Sequence, residues 1–259
     1  MKPVIGLLSA ICLLVCAGIG SLRAQGFDWQ YSARFPSTSP IRFIGAEIAS
    51  GYTMHSGSLP YLAKDLGFTC CTYENGTGLP LALGITGDYW VAGDWALAGT
   101  LGYRAQNASF NAKSDPLPLA DGRIFQTEYI YASTLHYAAV SVGARYRLLG
   151  THITVGGGIR GMLLLGTSAT HTERILSPDD RYFNGNPPSK EIVHDTRGLP
   201  DAQRLMVVPY VQLGYDISIS RGVYLSPTLT LGLPLMSVSS DATWRMTDVG
   251  IGVRLLRGF

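Results

Sequence analysis

Three histidines stand beside residues that could assist a hydrolytic reaction. The groups are His55 with Ser56 and Ser58, His171 with Glu173, and His194 with Asp195. Such chemistry needs a serine or an activated water held near a histidine and a carboxylate. All three groups lie in polar stretches between apolar runs, where scattered histidines are usually solvated. We therefore predict no catalytic residues and expect that the protein is not an enzyme.

The segment from Gly156 to Gly161 fits the Gly-x-Gly-x-x-Gly pattern of dinucleotide-binding loops. That fingerprint requires a helix after the last glycine. Here Met162 to Leu165 continue an extended apolar pattern instead. We therefore interpret the glycines as small residues where inward side chains crowd a narrow barrel, or where the backbone bends to close it, and we predict no cofactor.

Four cysteines are present, and two of them, Cys12 and Cys16, lie in the apolar N-terminal run. The other two, Cys70 and Cys71, are adjacent. They could form a small buried or oxidised pair in a loop, or a strained vicinal disulfide with a redox or binding role. A zinc site would need a second pair of ligands, so no metal is predicted.

The N-terminus has the composition of a secretory signal. Lys2 is followed by an apolar run from Val4 to Ile19, and Ala24 precedes the expected cleavage site. We predict a signal peptide over residues 1–24, a periplasmic lead-in over 25–40 and one domain over 41–259. The chain of 259 residues is 46% hydrophobic and carries a formal net charge of +2. That charge is too small to indicate nucleic-acid binding.

The stretch from Leu135 to Leu165 predicts a long β-hairpin. Val140 and Val142 alternate with polar residues in its first arm, and the second arm repeats the pattern around Arg160. A two-residue turn at Leu149-Gly150 would pair Tyr146 with Ile153 and Arg145 with Thr154, which keeps both faces in phase. An aliphatic row opposite arginines is typical of a wall between lipid and a polar interior.

Two further predicted turns also pair apolar residues with apolar residues on the same face of the sheet. A turn after Val91 would pair it with Trp95, and a turn after Ile219 would pair it with Val223. In the predicted strand from Phe125 to Leu148, bulky residues shift from odd to even positions. We expect a β-bulge near His136 to reconcile the two halves.

The periodicity predicts eight antiparallel strands closed into an up-and-down barrel, because closure removes sheet edges that lipid cannot solvate. Their connections alternate between long and short, with both ends of the barrel domain on the short-turn side. The longest connection, Thr170 to Gln203, could hide another hairpin, so ten strands is the alternative. Residues 56–78 and 107–124 are also interpreted as loops.

The strand pattern resembles that of the small eight-stranded outer-membrane barrels of the OmpA and OmpX type, and more closely the PorT-like outer-membrane β-barrel family. The resemblance rests on the 139–165 hairpin, on residues 208–233 and on the ending Val-Gly-Ile-Gly-Val-Arg-Leu-Leu-Arg-Gly-Phe. It implies residence in the outer membrane of a Gram-negative-type bacterium. A terminal aromatic such as Phe259 looks like the family's signal to the barrel-assembly machinery, although Arg257 departs from that pattern.

Charged residues on the predicted inner face form the candidate functional site. They are Glu47, Asp88, Arg104, Arg145, Arg160, Asp216 and Arg254. An eight-stranded barrel is only wide enough to be filled by side chains, so these charges should pair with one another and plug the lumen. The alternative is a narrow channel in which the arginines favour anions.

We therefore expect a structural or surface-interaction protein embedded in outer-membrane lipid. An extracellular or envelope partner would bind through residues 56–78 and 170–203. A narrow porin-like channel is the first alternative. Because a few small barrels modify lipid A, a lipid-modifying enzyme is the second.

Overall fold

The computed structural model describes residues 41–59, 72–92, 94–148, 151–185, 187–197, 199, 201–220, 222–240 and 243–259. The predicted signal peptide, the lead-in and the Cys70-Cys71 pair lie outside the described residues and stay predictions. Within the described ranges, no helix has the length and hydropathy needed to cross a membrane.

The described part of the chain contains twelve strand segments. They are β1 (Arg42–Leu59), β2 (Tyr73–Gly78), β3 (Leu81–Trp90), β4 (Trp95–Lys113), β5 (Leu117–Pro118), β6 (Ile124–Arg147), β7 (Ile153–Ser177), β8 (Glu191–Arg197), β9 (Leu205–Tyr215), β10 (Ile217–Ser220), β11 (Val223–Gly232) and β12 (Thr243–Gly258).

Eight strands close into an antiparallel ring in the order β4-β3-β1-β12-β11-β9-β7-β6, and β6 returns to β4. β2 and β3 are two parts of one strand, because they keep the same register against β1: Thr53 lies opposite Gly78, and Ser50 lies opposite Leu81. The interruption falls at Pro80, which has no N–H for the ladder. β10 similarly continues β9 after Asp216. The predicted eight-stranded all-β barrel is confirmed.

The predicted loop from Thr170 to Gln203 does hold a hairpin, but the hairpin adds no strand to the ring. β7 continues to Ser177, and β8 returns beside it with Thr170 opposite Thr196. β8 and β9 lie one after the other along the same flank of β7. The wall is therefore lengthened beyond the ring, and the ten-stranded alternative is wrong.

The described parts of the two other predicted loops are also largely strand. β4 extends to Lys113 and β6 begins at Ile124, while β1 reaches Leu59 and β2 starts at Tyr73. Outside lipid, a strand is free to carry polar residues on its outer face. The alternation that identifies a membrane strand is then lost, although the backbone ladder continues.

The three predicted turns have different outcomes. The Val91 and Trp95 pairing is confirmed by a 2.9 Å hydrogen bond from Val91 N to Trp95 O. The register of the third hairpin is confirmed by Ile217 opposite Leu225. At its tip, however, Ser220 replaces Ile219 as the partner of Val223, because the register shifts there.

In the 135–165 hairpin the predicted register is wrong by two residues. Arg147 lies opposite Thr154, and Arg145 lies opposite Gly156. Between the two strands, Thr151 Oγ1 donates to Leu148 O at 2.8 Å and accepts from Ile153 N at 3.2 Å. A shift of two keeps every side chain on its predicted face, because the strand period is two.

The bulge near His136 is present, but it lies on β7. Tyr137 faces Leu164 and His136 faces Gly166, so Leu165 is the extra residue. β6 itself keeps one phase, since its register against β4 is unbroken from Arg145 to Glu128. The bulky residues at odd positions of β6 therefore point into the barrel. The interpretation of them as an outward row was wrong.

The barrel exterior carries a belt of exposed large apolar side chains. Along β4 the belt runs from Trp95, whose ring lies 4.9 Å from that of Tyr146, to Tyr103, which contacts His136. Eight residues at about 3.3 Å each, tilted by about 40°, give a height of about 20 Å. A belt of this height, with aromatic residues at its margins, suits the hydrocarbon core of a bilayer.

The interior is arranged in three layers. At the short-turn end, Phe43 and Tyr224 pack edge to face inside a small apolar cluster. Charged side chains fill the middle. The long-connection end holds the outer aromatic cluster, which consists of Leu59, Tyr73, Ala108, Phe110, Tyr129, Tyr131, Leu135, Tyr137, Met162, Ala169, Leu199, Met206, Val208, Val238, Trp244 and Met246. An apolar layer of this size was not expected inside the barrel.

Replacement of Gly158 by alanine tests the interpretation of the glycine-rich segment as barrel geometry. Gly158 faces inward, and an added Cβ would lie 2.2 Å from Val142 O and 2.6 Å from Gly143 Cα. We expect Gly158→Ala to lower the unfolding free energy by about 1–3 kcal/mol, the usual cost of overpacking. Gly161→Ala is the control, because its nearest atom lies 3.9 Å away. Equal gel-shift melting temperatures for both variants would contradict the interpretation.

Candidate functional site: the lumen charge layer

Asp88 on β3 is the centre of the charged layer. Its Oδ1 accepts from Arg254 Nη2 at 2.6 Å, and its Oδ2 accepts from Arg145 Nη1. The side chains of Asp88, Arg145 and Arg254 are 1–3% exposed. Alternation brings them together from β3, β6 and β12, because each occupies an inward position of its strand.

From Arg145 the layer continues to Asp216. Arg145 Nη2 donates to Asp216 Oδ1 at 3.2 Å and to Thr154 Oγ1 at 2.9 Å. Arg147 extends the group, with its Nη2 3.9 Å from Asp216 Oδ2 and its guanidinium 3.9 Å above the Trp90 ring. This cation-π contact joins the charges to the apolar cluster at the short-turn end.

A second group surrounds Asp248. Arg104 Nη2 donates to Asp248 Oδ2 at 2.7 Å, and Arg160 Nη1 lies 3.6 Å from the same oxygen. Glu47 lies between the two groups: its Oε2 is 3.9 Å from Arg254 Nε and accepts from Thr100 Oγ1 at 3.2 Å. Glu47 also lines a small cavity together with Arg104, Arg160 and Asp248, so the two groups adjoin in one layer.

All seven residues of the predicted charge network lie in this layer, and two others belong to it. Arg147 shares the odd phase of Arg145, and Asp248 shares the even phase of Arg254, so the same periodicity points to both. In the described lumen, five arginines then face four carboxylates, which leaves one positive charge in excess.

The charged layer is nearly filled. A cavity of about 50 Å³ remains between Glu47, Arg104, Arg160 and Asp248. Such a volume suits a few water molecules, which need several polar partners. Arg160 Nη1 and Arg254 Nη1 are buried and make no hydrogen bond to the described residues, so water would satisfy donors here.

His55 lies inside the barrel, within the outer aromatic cluster. Its Nδ1 accepts from Trp244 Nε1 at 3.0 Å, and its Nε2 is 3.1 Å from Asn107 O, as a neutral ring requires. Ser56 lies on the opposite face of β1 and cannot serve as its nucleophile. His55 follows Met54, the last apolar residue on the outer face of β1, and therefore lies beyond the apolar belt. Burial lowers the pKa of His55 from 6.5 to about 4.

The other two histidines have structural partners. His171 Nε2 lies 2.7 Å from Tyr73 Oη, and burial raises the pKa of Tyr73. Glu173 Oε2 lies 2.8 Å from His194 Nε2 rather than beside His171. His55 and His171 are therefore buried strand residues, and their interpretation as solvated loop residues was wrong. The described residues contain no group of three His, Cys, Asp or Glu side chains placed to hold a metal ion.

The chain was compared with known proteins. No protein-family model and no curated protein matches it, so membership of the PorT-like family stays a prediction. Among solved structures, it is similar to Neisserial surface protein A, with 14% identity, a TM-score of 0.34 and coverage of 84% of this chain and 97% of that one. It is also similar to Ail, the attachment invasion locus protein of Yersinia pestis, with 12% identity, a TM-score of 0.25 and coverage of 81% of this chain and 97% of that one. A third similar structure is that of the outer membrane protease OmpT of Escherichia coli, with 10% identity, a TM-score of 0.32 and coverage of 84% of this chain and 96% of that one.

Replacement of Asp88 by asparagine tests whether the charged layer stabilises the barrel. The change keeps the size of the side chain and leaves Arg145 and Arg254 buried without their shared carboxylate. We expect the unfolding free energy to fall by about 3–5 kcal/mol, the usual effect of removing one partner from a buried ion pair. Asp179→Asn is the control, since that side chain is 97% exposed beside Lys190 and its loss should cost at most about 1 kcal/mol. Urea unfolding in lipid vesicles measures both. Equal losses would contradict the proposed role.

The His55 environment predicts loss of stability in acid. Because the folded pKa lies below the unfolded value of 6.5, the neutral ring stabilises the barrel fully above pH 6.5, and this contribution is lost as the pH falls toward 4. The difference amounts to about 3 kcal/mol. His55→Gln retains a donor and an acceptor but does not titrate. We expect its unfolding free energy to depend less on pH between 6.5 and 4 than that of the unmodified protein, and identical slopes would contradict the assignment.

Proposed function

We propose that the protein is an outer-membrane barrel that acts as a structural or surface-interaction protein, with a lumen closed to solutes. One observation carries this proposal. The charged layer links strands on several sides of the ring and leaves a cavity of only about 50 Å³. Apolar clusters lie on both sides of it. A solute would have to break buried ion pairs to pass.

The long hairpins support the surface role. β4 and β6 remain paired as far as Lys113 and Glu128, and β7 and β8 as far as Arg174 and Glu191. These paired extensions give a stiff base to the connections at their tips, which a partner would contact. Their outer surfaces carry alternating charges, such as Arg174 2.7 Å from Glu191. Such surfaces suit an aqueous setting and a polar partner.

The proposal includes the expected route to the membrane. A signal peptide over residues 1–24 would direct export, and the terminal Phe259 would contact the barrel-assembly machinery. The apolar belt would then lie in outer-membrane lipid, with the short turns on the periplasmic side. The proposed role needs no cofactor and no catalytic residue.

An anion-selective channel is the second candidate, because the described lumen holds one more arginine than carboxylate. Conductance in planar bilayers separates the two functions. We expect no discrete current steps from protein whose folded state is verified by its heat-dependent gel mobility. Arg123→Ala, which removes an exposed charge paired with Asp180, should behave identically. Discrete steps with anion preference would overturn the closed lumen in favour of the channel.

A further inference from the structure

The barrel wall has a gap in its hydrogen bonding between β9 and β11. The ladder between these strands has five residue pairs and ends at Tyr210 opposite Gly232. Leu233 N then donates to Pro209 O at 3.0 Å. The next backbone bond between the two sides is from Gln203 N to Val238 O, at 2.8 Å. We call the region between these bonds the seam; it consists of residues 204–208 on one side and 234–237 on the other.

Two residues of β9 turn backbone groups toward the seam that have no partner among the described residues. Arg204 O accepts from Leu164 N at 2.8 Å, so even residues of β9 turn their backbone groups toward β7. Odd residues turn theirs toward β11, as Pro209 O shows. The N–H and C=O groups of Leu205 and Val207 therefore face the seam, and among the described residues they have no hydrogen-bond partner there. Pro209 and Pro234 contribute to the gap because neither has an N–H.

The seam lies within the apolar belt. The outward positions of β9 are apolar from Tyr215 to Leu205, a strand length of about 33 Å that corresponds to a height of about 25 Å at a tilt of about 40°. Leu205 is 56% exposed, and Leu235 across the seam is 70% exposed. Open backbone edges are avoided in the hydrocarbon region unless they line an opening, because lipid cannot hydrogen-bond to them.

The interior behind the outer part of the seam is apolar, whereas Val208 lies opposite Arg160 at the border of the charged layer. Met206 and Val208 point inward from the seam strand itself, and each is 1% exposed. Met162 is paired with Met206, and all three side chains belong to the outer aromatic cluster. Methionine side chains adapt their shape easily and can admit a small molecule by changing rotamer. The charged layer closes this compartment on the side of the short turns.

We propose that the seam is a lateral portal through which small uncharged apolar molecules pass between the outer aromatic cluster and the surrounding lipid. The ligand class follows from the lining, since aromatic rings, methionines and aliphatic chains offer dispersion contacts and no countercharge. The portal goes beyond the proposed function, because it requires no passage across the charged layer. A barrel that conducts no ions could still contain it.

Quenching of Trp244 fluorescence by bromobenzene tests the portal. Trp244 is fully buried in the outer aromatic cluster, and its carbonyl accepts from Val238 N at the end of the seam. The fluorescence of Trp244 is obtained as the difference between the emission of the unmodified protein and that of the Trp244→Phe variant. The seam is closed with Val207→Cys and Leu235→Cys, joined by a short bis-maleimide in a background where Cys70 and Cys71 are serines. These two outward positions would be opposite each other if the β9–β11 register continued.

A second cross-link on the same two strands provides the matched control. Leu213 and Leu229 face outward and lie opposite each other in the intact ladder, so their cysteine variants receive the same linker without touching the seam. We expect bromobenzene to quench Trp244, with the rate of quenching lowered severalfold by the 207–235 link and unchanged by the 213–229 link. Failure to quench Trp244, or equal rates with both links, would overturn the portal.

Discussion

The attachment of Asp88 to Arg145 and Arg254 is the interaction on which the rest of the interior depends. A carboxylate that is almost fully removed from water is tolerable only when cations compensate it. Here the cations come from β6 and β12, which lie on either side of β3 and its neighbours in the ring. The pairing therefore favours one relative placement of strands that are distant in sequence. The remaining inward charges add to this layer rather than forming separate sites.

Strand period and phase made much of this predictable. Because a membrane barrel has an inner side that can hold polar residues and an outer side that faces lipid, alternation identified the strands, their number and the inward charges. The predicted register between β6 and β7 was wrong by two residues, yet the side chains near the turn of this hairpin still lie on the predicted faces of their strands. The same phase also places Arg147 and Asp248 on the inner face, although it gives no distance between paired charges. The existence of the charge layer could therefore be predicted from the alternation. The position of Glu47 between its two groups could not, because it depends on how the strands close into a ring.

Two features could not be predicted in the same way. The extension of β7 and β8 has no lipid-facing row, so its strands resemble loops in sequence. The bulky residues of β6 at positions 129, 131, 135 and 137 were misjudged because an apolar residue in a barrel strand usually faces lipid. Inside this barrel they pack into the outer aromatic cluster with residues from other strands. Hydrophobicity alone cannot distinguish an inner apolar core from an outer apolar belt.

The lengthened β7 has a consequence for how far the molecule reaches. Twelve residues separate Leu165 from Ser177, and at about 3.3 Å each with a tilt of about 40° they raise the hairpin tip by about 30 Å. A paired strand resists bending far better than a single chain, so the tip would be held at a nearly constant distance from the bilayer. Its height, as much as its sequence, would then decide which molecules beside the membrane it can touch.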